Sequence, residues 1–147
     1  MQPNSSTVYL VSCVKKKREQ ACAARDLYIS ALFRKARRFA EASGCRWFIL
    51  SAEHDLVAPD KVIAPYEQTL NTMRVADRRA WGERVTAQLA EAVPDLSQVV
   101  FLAGERYREF VARHLADRGV AVSVPMEGLR FGEQLSWLEQ HSPQHCC

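Results

Sequence analysis

Four short apolar runs alternate along the chain with longer amphipathic stretches, and this alternation limits the possible folds more than any other feature. β-Branched and aromatic residues are frequent in the runs, which cover residues 8–11, 47–51, 99–102 and 120–124. Runs of this length and composition indicate buried strands. Strands that alternate with helices predict a sheet with helices on both faces. We therefore predict a three-layer α/β fold with a mostly parallel four-stranded sheet.

The stretches between the runs carry apolar residues three and four positions apart, which is the spacing of amphipathic helices. They predict helices over residues 27–43, 75–92, 107–118 and 132–140. Ser30 is a candidate cap for the first helix, and Gly44 and Gly119 are candidate left-handed residues that end two helices. Residues 52–71 are predicted to form a long connection that contains Pro59 and Pro65. Connections longer than roughly 12–15 residues are uncommon and often functional.

The composition is that of one soluble domain. The chain has 147 residues, of which 48% are hydrophobic and 25% charged, and its net charge is +3. A chain of this length can bury a single core. No apolar run is long enough to cross a membrane, and the first residues lack the pattern of a signal peptide. We predict a single domain over residues 1–140, a cytoplasmic location and no membrane partner.

The cysteines and histidines do not form a metal-binding pattern. Five cysteines are present without a CxxC pair, and their odd number argues against a disulfide framework. His54 has no second histidine at metal spacing, and His114 falls on a predicted helix. Cys146 and Cys147 end the sequence, where we predict a disordered tail over residues 141–147. We therefore predict neither a metal nor a cofactor.

Polar residues or glycine follow each of the four predicted strands. In open parallel sheets, ligands bind outside the carboxyl ends of the strands. We expect the ends of the first two strands to lie side by side and to share one site. No GxGxxG or Walker sequence is present, so classical dinucleotide and triphosphate sites lack support. The candidate substrate-binding residues at these ends are Ser12, Cys13, Ser51, Gly104, Tyr107 and Gly128.

Ionisable residues follow the first and second strands. Lys15, Lys16 and Lys17 come after the first strand, where a lysine can hold a phosphate or act as a nucleophile or base. The same run also fits a solvated turn. Glu53 and His54 come after the second strand, and a histidine beside a carboxylate can serve as a general base. A hydrogen-bonded loop is the alternative for this pair.

Three further candidates lie at or just before the start of the first predicted helix. Arg25 can hold an anion, and Tyr28 can stack on a ring or donate a proton. Asp26 can join them in a site or can cap the helix.

Cys13 is a possible nucleophile, but no feature of the sequence favours its thiolate, and we favour a packing role for it.

These residues together resemble the DUF6884 family, over about residues 8–138. Family members often have glycine where this chain has Asp55, and aspartate tolerates positive φ better than most residues. More distantly, residues 56–66 are similar to a stretch of the YaaA peroxide-stress family, and Cys13 with Lys17 is similar to a motif in the core domain of archaeosine synthase. The residues that carry the family resemblance include Ser12, Cys13, Lys17, Tyr28, residues 49–57, Tyr66, Gly104, Tyr107 and Gly128.

The distant resemblances imply a function that involves nucleobases or nucleic acid. Archaeosine synthase joins lysine to a nitrile-bearing deazapurine base in transfer RNA, and that resemblance selects Lys17 among the three lysines. The YaaA resemblance implies DNA binding.

We therefore predict an enzyme that acts on a nucleobase, nucleoside or nucleotide, at the glycosidic bond or by modifying the base. Lys17, Glu53 and His54 are the predicted catalytic residues, and Tyr28 or Tyr66 is predicted to stack on the ring. The alternative is a non-enzymatic DNA- or RNA-binding module that uses the basic first helix. A small-molecule sensor is a third interpretation.

Overall fold

The computed structural model describes residues 6–12 and 17–141, and five of its strands form one sheet. The strands of the described residues are β1 (Thr7–Ser12), β2 (Cys22–Ala23), β3 (Arg46–Ser51), β4 (Asp55–Val57), β5 (Val62–Ile63), β6 (Gln98–Leu102) and β7 (Ala121–Ser123). The order in the large sheet is β4-β3-β1-β6-β7. β1, β3, β6 and β7 are parallel, and β4 is antiparallel to β3. The mostly parallel sheet is confirmed, with one strand more than predicted.

Helices cover both faces of this sheet, which confirms the three-layer prediction. They are α1 (Ala24–Leu27), α2 (Ala31–Ala42), α3 (Val75–Ala92), α4 (Glu105–Asp117) and α5 (Phe131–His141). Successive residues of β1 point to opposite faces, as the pleat requires. Leu10 packs with Trp81 of α3 in one core cluster, and Val11 packs with Phe33 of α2 in the other. No helix in the described part of the chain is long and apolar enough to span a membrane.

Strand β4 lies in the connection that was predicted to be a loop. It is three residues long, too short to produce a recognisable pattern. Its first residue, Asp55, has a φ of 60°. The Asp55 carboxylate accepts hydrogen bonds from Arg84 at 3.2 Å and from Gln88 at 3.2 Å. Because the Leu56 amide also donates to Gln88, at 3.0 Å, side chains of α3 hold both the turn and the edge strand.

The first predicted helix is divided in two. Leu27 ends the four-residue α1, and Tyr28 is extended and forms a β-bridge with Lys17. The second part, α2, begins after Ser30, whose hydroxyl accepts a hydrogen bond from the Phe33 amide at 3.2 Å. The predicted cap is therefore confirmed, but the start at residue 27 was wrong, since the extended Tyr28 interrupts the helix.

Two other helix boundaries differ from the prediction by a few residues. α4 begins at Glu105, two residues early, and α5 includes His141, which was assigned to the tail. The His141 ring stacks on Trp137, with ring centroids 4.1 Å apart, and this contact fits the extra residue at the end of the helix. Residues 142–147 lie outside the described residues. Gly44 and Gly119 have φ values of 78° and 82°, which confirms both predicted helix ends.

The segments that follow β1 and β3 pack against each other. Cys22 pairs with Ile63 in a small antiparallel ladder between β2 and β5. Next to this ladder, the Ala24 amide donates to the Lys61 carbonyl at 2.7 Å, and the Arg25 amide donates to the Pro59 carbonyl at 2.8 Å. Since Ser12 also aligns with Leu50 in the parallel sheet, the ends of β1 and β3 lie side by side as predicted.

Candidate functional site

A cavity of about 450 Å³ opens at the carboxyl ends of β1, β6 and β7. Strand order reverses between β1 and β6, because the chain adds β3 on one side of β1 and then β6 on the other. Ligands of doubly wound sheets bind at such switch points. The volume is within the usual range of small-molecule sites, roughly 300–1,000 Å³. This position and size make the cavity the primary candidate site.

The cavity has apolar walls and a polar rim. Three of its large apolar lining residues are buried core residues, namely Phe33, Phe101 and Met126. Ser12 and Gln134 add uncharged polar groups, which together with a few charged side chains can orient a ligand. The charged lining residues are Glu105, Arg106, Arg108 and Glu127. An apolar body with a few polar groups is what a planar, partly polar ligand requires.

Helix α4 begins at the cavity, and its first residues form one wall. Gly104 is the N-cap, has no side chain to cap the helix, and has extended backbone angles. The Arg108 side chain is one turn further along and is 15% exposed. Its Nη2 atom lies 3.8 Å from Oε2 of Glu127, a residue of the loop between β7 and α5. The cavity therefore contains a largely buried cation beside an uncapped helix N-terminus.

A second cluster, formed by Lys17, Tyr28, His54 and Tyr66, lies where the two docked segments meet. The Lys17 ammonium is 4.4 Å from the Tyr66 ring centroid and 5.8 Å from that of Tyr28. The two tyrosine hydroxyls share a hydrogen bond of 2.5 Å. The His54 ring meets Tyr66 edge-on, with centroids 5.4 Å apart. We call this group the lysine–tyrosine cluster. It combines a cation, two phenols and an imidazole, which are groups suited to proton transfer.

One pair of aromatic residues connects this cluster with the cavity. Tyr28 is 1% exposed, and its ring packs against Phe33 at a centroid distance of 4.9 Å. Phe33 also lines the cavity. Lys17, Tyr66 and His54 do not line the cavity, so the predicted single site is two adjacent regions that share the Tyr28–Phe33 wall.

The predicted site residues that lie in these two regions are divided between them. Ser12, Gly104, Tyr107 and Gly128 line the cavity. Lys17, Tyr28, His54 and Tyr66 form the lysine–tyrosine cluster. Cys13 lies outside the described residues, as do Lys15 and Lys16.

Several predicted residues occupy structural positions. Ser51 is fully buried, its hydroxyl accepts a hydrogen bond from the His54 amide at 2.9 Å, and its carbonyl accepts one from the Trp81 indole at 2.9 Å. Glu53, next to it in the turn, is exposed. The Tyr107 hydroxyl holds the turn at residues 69–70, and lies 3.3 Å from the Leu70 amide. Ser51 and Tyr107 therefore support the site region through the fold.

Arg25 and Asp26 belong to a network that fastens α1 to α2. Arg37 donates hydrogen bonds to the Arg25 carbonyl at 2.9 Å and to the Asp26 carboxylate at 3.0 Å. The Arg25 side chain itself approaches Asp26 only to 3.9 Å. Neither Arg25 nor Asp26 lines the cavity. Asp26 lies inside α1 and caps neither helix, so the capping alternative was wrong, and its structural role is the ion pair with Arg37.

The basic first helix is partly neutralised. Lys35 donates to Glu139 of α5 at 2.6 Å, and Arg37 pairs with Glu41 at 2.9 Å as well as with Asp26. Arg34 and Arg38 are exposed. Only part of the predicted basic surface is therefore available to a polyanion.

Arg108, Arg106, Gln134 and Asn71 line the cavity but were not predicted. One signal was present in the sequence, because Gly104 and Arg108 are four positions apart and so lie on one side of a helix that starts at the strand end. No group of three or more His, Cys, Asp or Glu residues that could hold a metal is found within residues 6–12 and 17–141.

The fold and the site define a doubly wound α/β protein with a ligand-sized cavity at the switch point of its sheet. Residues 8–140 match DUF6884, a family of unknown function, and the chain belongs to this family. It is 30% identical over 92 residues to the uncharacterized protein YfjM of Bacillus subtilis (strain 168), an alignment that covers 58% of this chain and 57% of YfjM.

A solved structure also aligns with most of the chain. The crystal structure of AF0587, a protein of unknown function, has a TM-score of 0.45 and 17% identity, and the alignment covers 96% of this chain and 46% of AF0587. The chain thus spans about half the length of the relatives it matches.

Proposed function

We propose that the protein is an enzyme that acts on a nucleobase, nucleoside or nucleotide, by glycosidic-bond or base-modifying chemistry. The observation that carries this proposal is the cavity of about 450 Å³ at the switch point of the sheet. Its apolar walls suit the faces of a planar base, and its polar rim suits ring nitrogens and exocyclic groups. The distant resemblance of Cys13 and Lys17 supports the same ligand class, whereas that of residues 56–66 supports the nucleic-acid alternative.

The lysine–tyrosine cluster supplies the chemistry in this proposal. Lys17 acts as nucleophile or anion clamp, and His54 acts as acid or base. The Tyr28 and Tyr66 hydroxyls share a hydrogen bond through which a proton can pass between them, and the His54 imidazole borders the Tyr66 ring. Glu53 is exposed beside His54 and remains a candidate partner for the imidazole.

The proposal is tested first by ligand binding. Thermal shifts are measured with nucleobases, nucleosides and nucleotides, for the wild type and for Lys17→Ala and Glu53→Gln. We expect at least one ligand to raise the melting temperature of the wild type, and the shift to fall in both variants. Lys61→Ala is the matched control, because Lys61 is exposed and its backbone carbonyl alone takes part in the docked segments. No shift with any ligand, or equal shifts in both variants and the wild type, contradicts the proposal.

A second pair of variants tests whether the cavity is the binding site. An added Cβ at Gly104 meets nothing within 4 Å, so Gly104→Leu narrows the cavity mouth without a steric clash at the backbone. Gly132→Leu is the control, since this position is equally open and lies outside the cavity lining. If the ligand-induced shift is lost in Gly104→Leu but kept in Gly132→Leu, the cavity is supported as the binding site. Equal shifts in the two variants place binding elsewhere.

The nucleic-acid alternative rests on the exposed Arg34 and Arg38 of α2. It predicts binding to DNA or RNA that weakens steeply with salt and is lost on double reversal to Glu. Arg37 is left intact in this variant, because its ion pairs hold α1 in place. If the double variant still binds nucleosides, the result supports the enzyme proposal. If the wild type binds polynucleotides and the double variant does not, the result supports the alternative.

A further inference from the structure

The Arg108 guanidinium is the most unusual polar group in the cavity. Its side chain is 15% exposed, and the carboxylate nearest to it is that of Glu127, at 3.8 Å. At this distance the two groups form an ion pair, but they are too far apart for a hydrogen bond. Among residues 6–12 and 17–141, no hydrogen bond to the guanidinium is found, although an arginine has five N–H donors. No buried side-chain nitrogen or oxygen of the described residues lacks a hydrogen-bond partner, so the unbonded N–H groups of Arg108 reach solvent and can accept a ligand oxygen as partner without rearrangement of the protein.

Glu127 is a weak partner for this arginine. Its side chain is 70% exposed and belongs to the loop that borders the cavity. Exposed ion pairs contribute little to stability, because water competes with them and the side chains lose freedom. An incoming anion can therefore replace Glu127 at small cost, whereas an apolar ligand would leave the pair unchanged.

The backbone next to Arg108 favours the same kind of ligand. Residues 104–108 all line the cavity, and the N-cap of α4 has no side-chain hydrogen bond. α4 has 13 residues, long enough for a substantial positive partial charge at its N-terminus. A phosphate can accept from Arg108 and from this N-terminus together because it has several terminal oxygens, whereas a carboxylate has two. Glu105 and Arg106 also line the cavity, and both are exposed and of opposite charge, which leaves Arg108 as the main source of attraction.

We propose that the ligand of the cavity is a nucleoside monophosphate, and that Arg108 binds its phosphate after displacing Glu127. This inference rests on the proposed function and narrows it from three ligand classes to one. Arg25, which was the predicted anion-binding residue, does not line the cavity. Anion binding is therefore assigned to the first turn of α4 and no longer to the segment before α2.

The test compares ligands with and without the phosphate by isothermal titration calorimetry. The probes are the four common ribonucleosides, their 5′-monophosphates and ribose 5-phosphate. We expect one monophosphate to bind about 10- to 100-fold more tightly than its nucleoside, the range typical of hydrogen bonds to charged groups. Arg108→Gln removes this difference and keeps the nucleoside affinity. Arg108→Lys restores only part of it, because lysine lacks the planar fork.

Two further variants make the result independent of any folding defect in Arg108→Gln. Glu127→Gln alters an exposed residue and removes the competing carboxylate, so it strengthens monophosphate binding several-fold relative to nucleoside binding. Arg113→Gln is the control, since Arg113 lies on α4 outside the cavity and packs over Phe110. Arg113→Gln should change neither the nucleoside affinity nor the monophosphate affinity. A Glu127→Gln protein with unaltered monophosphate affinity counts against the displacement.

The outcomes separate this inference from the proposed function. Nucleosides that bind as tightly as their monophosphates, in both the wild type and Arg108→Gln, overturn the inference and support the nucleobase site. Ribose 5-phosphate that binds through Arg108, in the absence of any nucleoside binding, supports the anion site and overturns the nucleobase proposal. No binding of any probe overturns both.

Discussion

Replacement of Gly82 by alanine should destabilise the protein, although the same change usually stabilises a helix. Gly82 is in the middle of α3, where α3 packs against α4. A Cβ atom at this position would lie 2.8 Å from Cβ of Phe110, whereas ordinary contacts begin at 3.4 Å, so the helices must separate by about 0.6 Å. The nearest atom is at the base of the Phe110 side chain, which cannot rotate out of the way.

The expected change in the free energy of unfolding is the balance of two opposing effects. Overpacking of a core contact costs about 1–3 kcal/mol. Gly→Ala in a helix interior contributes about 0.5–1 kcal/mol in the other direction. The net loss is therefore about 1 kcal/mol, within a range of about 0–2.5 kcal/mol, or roughly 2–4 °C in melting temperature for a chain of this size.

Urea denaturation of two variants measures this balance. Gly132→Ala in α5 is the matched control, because an added Cβ there meets nothing within 4 Å. It should be more stable than the wild type by up to about 1 kcal/mol. If Gly82→Ala matches or exceeds the stability of the wild type, the inferred close packing of α3 on α4 is wrong. The assay matters for the site because α4 supplies one wall of the cavity.

Two further predictions concern contacts that hold the layers together. The Lys35 hydrogen bond lowers the pKa of the Glu139 carboxyl below its usual 4.5, so this pair stabilises the fold at neutral pH and its contribution is lost as the pH falls through the lowered pKa. The stability difference between wild type and Glu139→Gln should therefore be larger at pH 7 than at pH 3 in urea titrations, and a difference independent of pH would contradict this. Trp81→Phe removes the indole hydrogen bond to the Ser51 carbonyl and should cost about 1–3 kcal/mol. Trp47→Phe, at a half-buried position, should cost less, and equal losses would refute a special role for that bond.

The sequence predicted the layers and the parallel strands because each depends on a local pattern. Val8–Tyr9–Leu10–Val11 is short, apolar and β-branched, and it forms the central strand β1. Ser30 and Gly44 are local signals as well, and both were confirmed at the ends of α2. Features that depend on distant contacts were missed. β4 exists because Arg84 and Gln88, some thirty residues away, bind Asp55 and Leu56.

The candidate site was only partly predictable for the same reason. The sequence indicates which residues follow strands, but it does not give the lateral order of those strands. Because β1 and β3 are adjacent, the segment after β1 places Lys17 beside Tyr66, and Tyr66 contacts His54. The adjacency of the two strand ends was predicted. The order also places β6 on the other side of β1, and the cavity opens on that side. Arg108 was therefore overlooked, although its position one turn after Gly104 is visible in the sequence.

The two regions have complementary properties, which the proposed function combines. The cavity offers volume, apolar walls and two arginines, but its described lining contains neither a histidine nor a lysine. The lysine–tyrosine cluster offers both of these proton-carrying groups but is not itself part of the cavity lining. Tyr28 links the two regions, since it binds the Tyr66 hydroxyl and packs on Phe33, which lines the cavity. Under the proposed function, a base held in the cavity would contact Phe33, and Tyr28, which packs on that ring, would be its connection to the cluster. Tyr28→Phe keeps the ring contact with Phe33 and removes the hydroxyl, so in this arrangement it preserves ligand binding and impairs turnover.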